Sequence, residues 1–313
     1  MISASEPLVS IGIPTYNRAD ANLPGVIERA LGQTYQNIEV IVSDNCSSDR
    51  TPELLNSITD PRLRYFCQKT NIGPNNNFNF CLNQAKGEYF LLFHDDDMID
   101  EDFVETCMSS LAPGENVGVI LTGNRIIDEH NRLREEHRNE ACGLSPLDFF
   151  LGWFRNTTTL YLCSTLYNTA GLKEIGGFHS KKNLYDDLIP TFTLATKYGR
   201  QDVAEVKASF RRHSENRGSS ISINDWIEES LYLLDVLYQL FPDERHLLKD
   251  EGEFYFCRKM YWYLSSGLAQ SQSPMDYLRI YKAYNHCYSP LRFFYEKKWR
   301  SRVEGIRRIF ALR

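Results

Sequence analysis

The chain has 313 residues, 42% of them hydrophobic and 24% charged, enough apolar material for one large domain or two of ordinary size. A formal charge of −6 and a pI near 5.7 set it apart from general nucleic-acid binders, which carry a basic field. Its eight cysteines have no metal-type spacing, and several sit in apolar runs (Cys81, Cys107, Cys257), so they read as reduced thiols of a cytoplasmic protein.

The opening stretch "MISASEPLVSIGIP" has neither a charged leader nor a long apolar run, so no signal peptide is expected. No run of about 18 uncharged apolar residues occurs, and no membrane span is predicted. "LVSIGI" (Leu8–Ile13) and "IEVIVSD" (Ile38–Asp44) are short, β-branched and bounded by turn residues. Between them Leu23, Val26, Ile27, Ala30 and Leu31 repeat at helical spacing over Leu23 to Gln33. Asp49 reads as the N-cap of the next helix, with Pro52 in its first turn. "LRYFC" (Leu63–Cys67) is a third strand, Asn77 to Ala85 a helix, "EYFLLF" a fourth strand and "VGVILTG" (Val117–Gly123) a fifth. Strands alternating with helices imply an α/β unit with a mainly parallel sheet covered on both faces. The pattern loosens from about Asp148, then returns to helix over Asp186 to Lys197, followed by a strand and a polar loop in "DVAEVKASFRRHSENRGSSIS". Beyond Ile223 aromatic-rich helical patterns take over. This predicts a first domain over 1–221 and a C-terminal helical subdomain over 222–313.

Polar clusters fall at the ends of these elements, where parallel sheets bind ligands. After the first strand, Pro14, Thr15, Tyr16 and Asn17 form a turn whose tyrosine ring could stack on a nucleobase. After the second, Asp44 could accept a hydrogen bond from a base N–H, or be an ordinary loop residue. The fourth strand runs straight into Asp95, Asp96 and Asp97. Adjacent carboxylates repel unless a cation sits among them, and hard divalent ions favour such oxygens while sharing a substrate's phosphates. Alternation along an extended segment would turn Asp95 and Asp97 one way and Asp96 another; the plainer alternative is a solvated acidic loop leading to a helix capped by Asp100. Asp186 and Asp187 precede a helix, where they could cap its positive end or accept a proton from a substrate hydroxyl.

Together "VSIGIPTYNR", "QTYQNIEVIVSDNCSSDRT", "NIGPNNNFNFCLNQAKGEYFLLFHDDD", "GLKEIGGF" and "FRRHSENRGSS" resemble the family 2 glycosyltransferases of the GT-A fold, in the family's order over roughly residues 8 to 221. The third stretch looks closest to bacterial members that build O-antigens and other surface polysaccharides. The resemblance implies that Pro14 to Asn17, Asp44 and Asn71 border the nucleotide. It implies that Asp95 and Asp96 lie on the donor, and that Asp97, with Asp95 and His213, holds Mn²⁺ or Mg²⁺ against the diphosphate. Asp187 would be the general base of an inverting enzyme, with Gly176, Gly177 and Asp186 on the acceptor side. Two positions depart from the family pattern: Asp186 stands where Glu is usual, and Phe78 where many members carry Arg.

The expected partners are a nucleotide-sugar donor, UDP-sugar first among them, and a glycan or lipid-linked acceptor. Two other classes compete. Sugar-1-phosphate nucleotidyltransferases usually have a Gly-rich loop after the first strand, and "IPTYNRADANLPG" is too poor in glycine to cradle a triphosphate. A non-catalytic nucleotide-sugar or carbohydrate-binding relative would have no need of the acidic clusters. The C-terminal stretch "SPLRFFYEKKWRSRVEGIRRIFALR" mixes cations with aromatics, which fits either peripheral contact with an anionic membrane or packing on neighbouring helices. The aromatic run Tyr255–Trp262 reads as core, and a homodimer through these helices is open.

Overall fold

The computed structural model describes residues 6–212, 221–266 and 273–298. The chain forms two compact units, 1–213 and 214–313.

In the first unit the strands β1 (Val9–Thr15), β2 (Ile38–Asp44) and β4 (Tyr89–Leu92) are buried along their whole length. Such continuous apolar runs are what a parallel sheet covered on both faces requires. Among the described residues the sheet order is β3 (Leu63–Cys67), β2, β1, β4, β8 (Thr165–Asn168), β6 (Val119–Ile127), β9 (Arg200–Arg211) and β5 (Met98–Ile99), with β7 (Leu133–His137) on β6. β1 to β4, β6 and β9 run in one direction, and β5, β7 and β8 run against them. The sheet is therefore mostly parallel, with β8 inserted between β4 and β6.

Side chains alternate between two layers. Val9, Ile11 and Ile13 of β1 join one cluster with α1 (Leu23–Leu31) and α4 (Phe103–Ser109). On the opposite face Gly12 leaves room for Phe90 and for Cys81 of α3 (Pro74–Gln84): an added Cβ would come within 2.8 Å of both. α3 starts earlier than the pattern from Asn77 suggests, because Gly73 takes φ +80° and Pro74 fits the first turn. α2 (Thr51–Asn56), α5 (Pro146–Arg155), α6 (Thr169–Glu174) and α7 (Leu188–Tyr198) complete the unit.

Two predicted caps are corrected. The residue preceding α2 is Arg50; Asp49 lies one position earlier and accepts from the Thr51 amide (3.0 Å) and the Ala19 amide (3.2 Å), tying two loops together. Asp102, not Asp100, precedes α4, while the Asp100 carboxylate pairs with Arg125 at 3.0 Å. Asp49 thus still serves the first amide of α2 from one position outside the cap, whereas Asp100 is taken by a donor outside the helix.

In the second unit, α8 (Ile223–Leu240) opens on Ser222, whose hydroxyl accepts from the Asp225 amide. It packs with α9 (Arg245–Ser266) and α10 (Pro274–Ala283), and residues 290–298 are also helical. Phe256, Cys257, Met260 and Tyr261 are core residues of α9, whereas Trp262 is half exposed. Polar tips inside this core are paired: the Tyr261 hydroxyl donates to the Tyr288 carbonyl at 3.0 Å, and Tyr284 shares a hydrogen bond with Ser230. No helix among the described residues is long and apolar enough to cross a membrane.

Candidate active site

Parallel pairing sets Thr15 beside Asp44, so the carboxyl ends of β1 and β2 open at one edge. Tyr16 is 46% exposed there. Asn17, at φ +54°, locks the two loops: its amide donates to Ser47 Oγ and its side-chain oxygen accepts from the Ser48 amide, both at 2.8 Å. Asp44 is fully buried. One oxygen accepts from the Ser47 amide (2.9 Å) and hydroxyl (2.5 Å), the other from the Tyr65 hydroxyl (3.2 Å) and, at 3.8 Å, the Cys67 thiol. A carboxylate has about four acceptor positions, so a base N–H reaching Asp44 must replace the long Cys67 contact or the Tyr65 bond. Asn71 belongs to the same edge: Asn45 donates to its side-chain oxygen, which also accepts from the Gly73 amide at the start of α3.

After β4 the chain turns at once, the Asp97 amide donating to the His94 carbonyl (3.3 Å). A turn does not alternate its side chains, so the expectation that Asp95 and Asp97 face one way is replaced by a different grouping. The ligand atoms of His94, Asp96 and Asp97 lie within 4.8 Å of one another. Asp95 instead sits by the Thr15 hydroxyl and the Tyr16 amide. Burial, against the lowering by Thr15 and with the Asp96 charge beside it, pushes the Asp95 carboxyl up to about 6. Asp97 is buried and raised well above the ordinary range, by desolvation first and by Asp96 next. Its Oδ1 accepts from the Arg211 amide at 3.0 Å, and the buried Arg211 guanidinium donates to the carbonyls of Asp96 (2.6 Å) and Asp128 (3.2 Å). One imidazole and two carboxylates held this close, one of them the buried Asp97 whose proton affinity is raised by desolvation and by Asp96, fit a divalent cation such as Mn²⁺. His213, also expected at this centre, lies outside the described residues.

These shifts have a measurable consequence. A carboxyl raised in the fold keeps a proton that the unfolded chain has released, so stability falls as pH rises from about 4 through 6. For Asp95 alone the loss is up to about 3 kcal/mol, and Asp97 acts in the same direction; lowered carboxyls such as Asp128 act below that window. In chelator, the urea midpoint is expected to be lower at pH 7.5 than at pH 5. A midpoint that rises over this interval would remove the crowded-carboxyl account.

The residues expected on the acceptor side are tied together through α3, whose asparagines the sequence pattern did not single out. Asn75 donates to the Asp186 carboxylate. Asn79, one turn on, grips the backbone of Phe178 from both sides, donating to its carbonyl (2.9 Å) and accepting from its amide (2.8 Å). Asn77 donates to the Ser43 carbonyl (2.8 Å) and accepts from the Ser43 hydroxyl (2.6 Å), next to Asp44. Phe78, in the position where an Arg was noted as usual, lays its ring against His94, centroids 4.9 Å apart. Two buried asparagines, Asn75 and Asn77, and the partly buried Asn79 within five positions are the available signal, since buried amides must find partners. Gly176 and Gly177 form the turn before Phe178 at φ +90° and +81°; a Cβ on Gly177 would lie 2.1 Å from Asn79 Oδ1. Asp187 is the first residue of the turn into α7, with Oδ1 accepting from the Leu188 amide at 2.8 Å, at a helix end that favours negative charge. Trp153, on the last turn of α5, meets Tyr185 edge to face at 6.1 Å, just ahead of Asp186.

A mostly parallel sheet with acidic and polar loops at its carboxyl edge, followed by helices, is the GT-A arrangement. It resembles S. aureus TarS, solved in complex with UDP-GlcNAc, at a TM-score of 0.69 and 17% identity, over 91% of this chain and 82% of that one. It also resembles the mannosyltransferase PcManGT from Pyrobaculum calidifontis, solved with GDP-Man and Mn²⁺, at 0.54 and 19%, over 93% and 84%. The model of glycosyl transferase family 2 matches residues 10–176, and the chain belongs to that family. Among curated relatives, the GalNAc(5)-diNAcBac-PP-undecaprenol β-1,3-glucosyltransferase of Campylobacter jejuni is 33% identical over 156 residues, 47% of this chain and 49% of that protein. The chain spans about half the length of the curated relatives it matches.

Proposed function

We propose that the chain is an inverting, metal-dependent glycosyltransferase. Its donor is a nucleotide-diphosphate sugar, a UDP-sugar foremost, and its acceptor a hydroxyl of a lipid-linked glycan in bacterial surface-polysaccharide synthesis. The observation that carries the reading is the pair of acidic stations joined by one helix. Phe78 of α3 rests on His94 at the Asp96–Asp97 turn, and Asn75, three positions earlier on the same helix face, holds Asp186 beside Asp187. Relatives bound to UDP-GlcNAc and to GDP-Man with Mn²⁺ support the donor class, and the Campylobacter enzyme, by its name, supports the acceptor class.

In this mechanism Thr15, Tyr16, Asn17, Asp44 and Asn71 seat the nucleotide, and Asp95 and Asp96 border the donor. His94, Asp96 and Asp97 would hold the divalent ion, which when bound supplies Lewis-acid stabilisation of the leaving diphosphate. Asp187 takes the proton of the acceptor hydroxyl as the oxygen attacks the anomeric carbon from the face opposite the leaving group. A positioned base of this kind contributes roughly 10²–10⁴-fold. The Gly176–Gly177 turn lets an acceptor approach the backbone closely. A lipid-linked acceptor puts the work on the cytoplasmic face of a membrane, with peripheral contact through the basic C-terminal region.

The test is to incubate the chain with nucleotide sugars, Mn²⁺ and lipid-diphosphate glycans, and to read the anomeric configuration of the product by NMR. Inversion relative to the donor is the expected outcome. Retention, or the absence of transfer from every donor despite metal-dependent nucleotide binding, would overturn it.

A further inference from the structure

Charge is spread unevenly along the chain. Residues 274–313 contain ten Lys and Arg against three Asp and Glu, a net of +7, whereas the 273 residues before them carry 25 against 38, a net of −13. In the described part of this segment α10 exposes Met275 and Leu278 and then Lys282, at i, i+3 and i+7 along one helix face. The helical residues 290–298 repeat that register with Leu291, Phe294, Tyr295 and Lys298. Leu291 is 83% exposed, Tyr295 72% and Met275 63%.

The two helices are neighbours. Tyr277 of α10 meets Phe294 with ring centroids 5.0 Å apart, while Phe293 turns inward on to Tyr261 at 5.4 Å. The inner side is therefore filled, and each of these neighbouring helices leaves apolar residues exposed. Half-exposed Trp262 lies near them, because Lys297 Nζ donates to the Ser265 carbonyl (3.4 Å) one turn along α9. The segment's described acids pair with arginines, Asp276 with Arg279 at 2.8 Å and Glu296 with Arg292 at 2.9 Å.

We infer that these exposed residues of the helical unit are a membrane contact for a bilayer rich in anionic lipid. Leu291, Phe294, Tyr295, Met275 and Leu278 enter the headgroup boundary, and Lys282, Lys297 and Lys298 meet lipid phosphates. Exposed aromatic and aliphatic groups sharing one side with lysines are what such an interface selects. A nucleic acid matches the cations but leaves the apolar groups in water. The inference rests on the reading that the acceptor is lipid-linked, and it gives that acceptor a surface to be met on.

The test uses the full chain, sedimented with vesicles of phosphatidylcholine alone or mixed with phosphatidylglycerol. The parent is expected to pellet with the anionic vesicles and to be released by salt. Leu291→Glu with Tyr295→Glu, and separately Met275→Glu with Leu278→Glu, should each weaken pelleting roughly tenfold or more, with melting temperature and transfer to a short water-soluble acceptor unchanged. Equal pelleting with both vesicle types, pelleting with neither, or variants that bind like the parent would overturn it. So would RNA binding that persists in both variants and displaces the vesicles. Failed transfer to the soluble acceptor with intact vesicle binding removes the proposed activity alone; intact transfer without vesicle binding removes this contact alone.

Discussion

Asp187→Asn is expected to lower sugar transfer by roughly 10²–10⁴-fold while donor affinity stays within about twofold, as nucleotide contacts do not pass through this residue. The substitution is a narrow one. Asn keeps the side-chain oxygen that accepts from the Leu188 amide, so the start of α7 is preserved. What is lost is the capacity to take a proton. Single-turnover transfer, read beside equilibrium binding of the nucleotide sugar, separates the two. Transfer near the parental rate would mean that the base is another group, with the neighbouring Asp186 the next to replace.

Asp97→Asn is expected to act in two opposed directions. Its carboxylate is buried beside Asp96 and raised well above the normal range, so removing its charge relieves repulsion and should raise the melting temperature in chelator. Asn retains an oxygen for the Arg211 amide, which keeps the turn in place. The same change removes one of three potential ligands, and metal-dependent donor binding should weaken by at least about tenfold. Calorimetric titration of donor with and without Mn²⁺ reads the second effect, and a thermal melt reads the first. A variant that melts lower and binds donor as tightly as the parent would assign Asp97 to scaffolding.

Much of the fold was legible in short β-branched and aromatic runs bounded by turn residues: Ile38–Asp44, buried along its whole length, and Leu63–Cys67, a partly buried edge strand, stand where the pattern set them. β8 gave little signal, being four residues between a 3₁₀ turn and α6, and its place between β4 and β6 is a tertiary choice. The acidic stations were visible as sequence clusters, but their inner geometry was not. Asp95 and Asp97 follow a tight turn rather than strand alternation, and His94, which lies between the predicted strand and the aspartates and was given no role, joins Asp96 and Asp97. The roles of Asn75, Asn77 and Asn79 depend on partners about 30 to 110 positions away, which no local pattern can name.

That asparagine-studded helix also constrains how such a protein can diversify. Its amides fasten the end of β2, the backbone at Phe178 and the carboxylate at position 186 to a single rod. Descendants that acquire new sugars or new recipients must therefore leave positions 75, 77 and 79 nearly untouched. Novelty is confined to the periphery, where exchanges shift no anchor point.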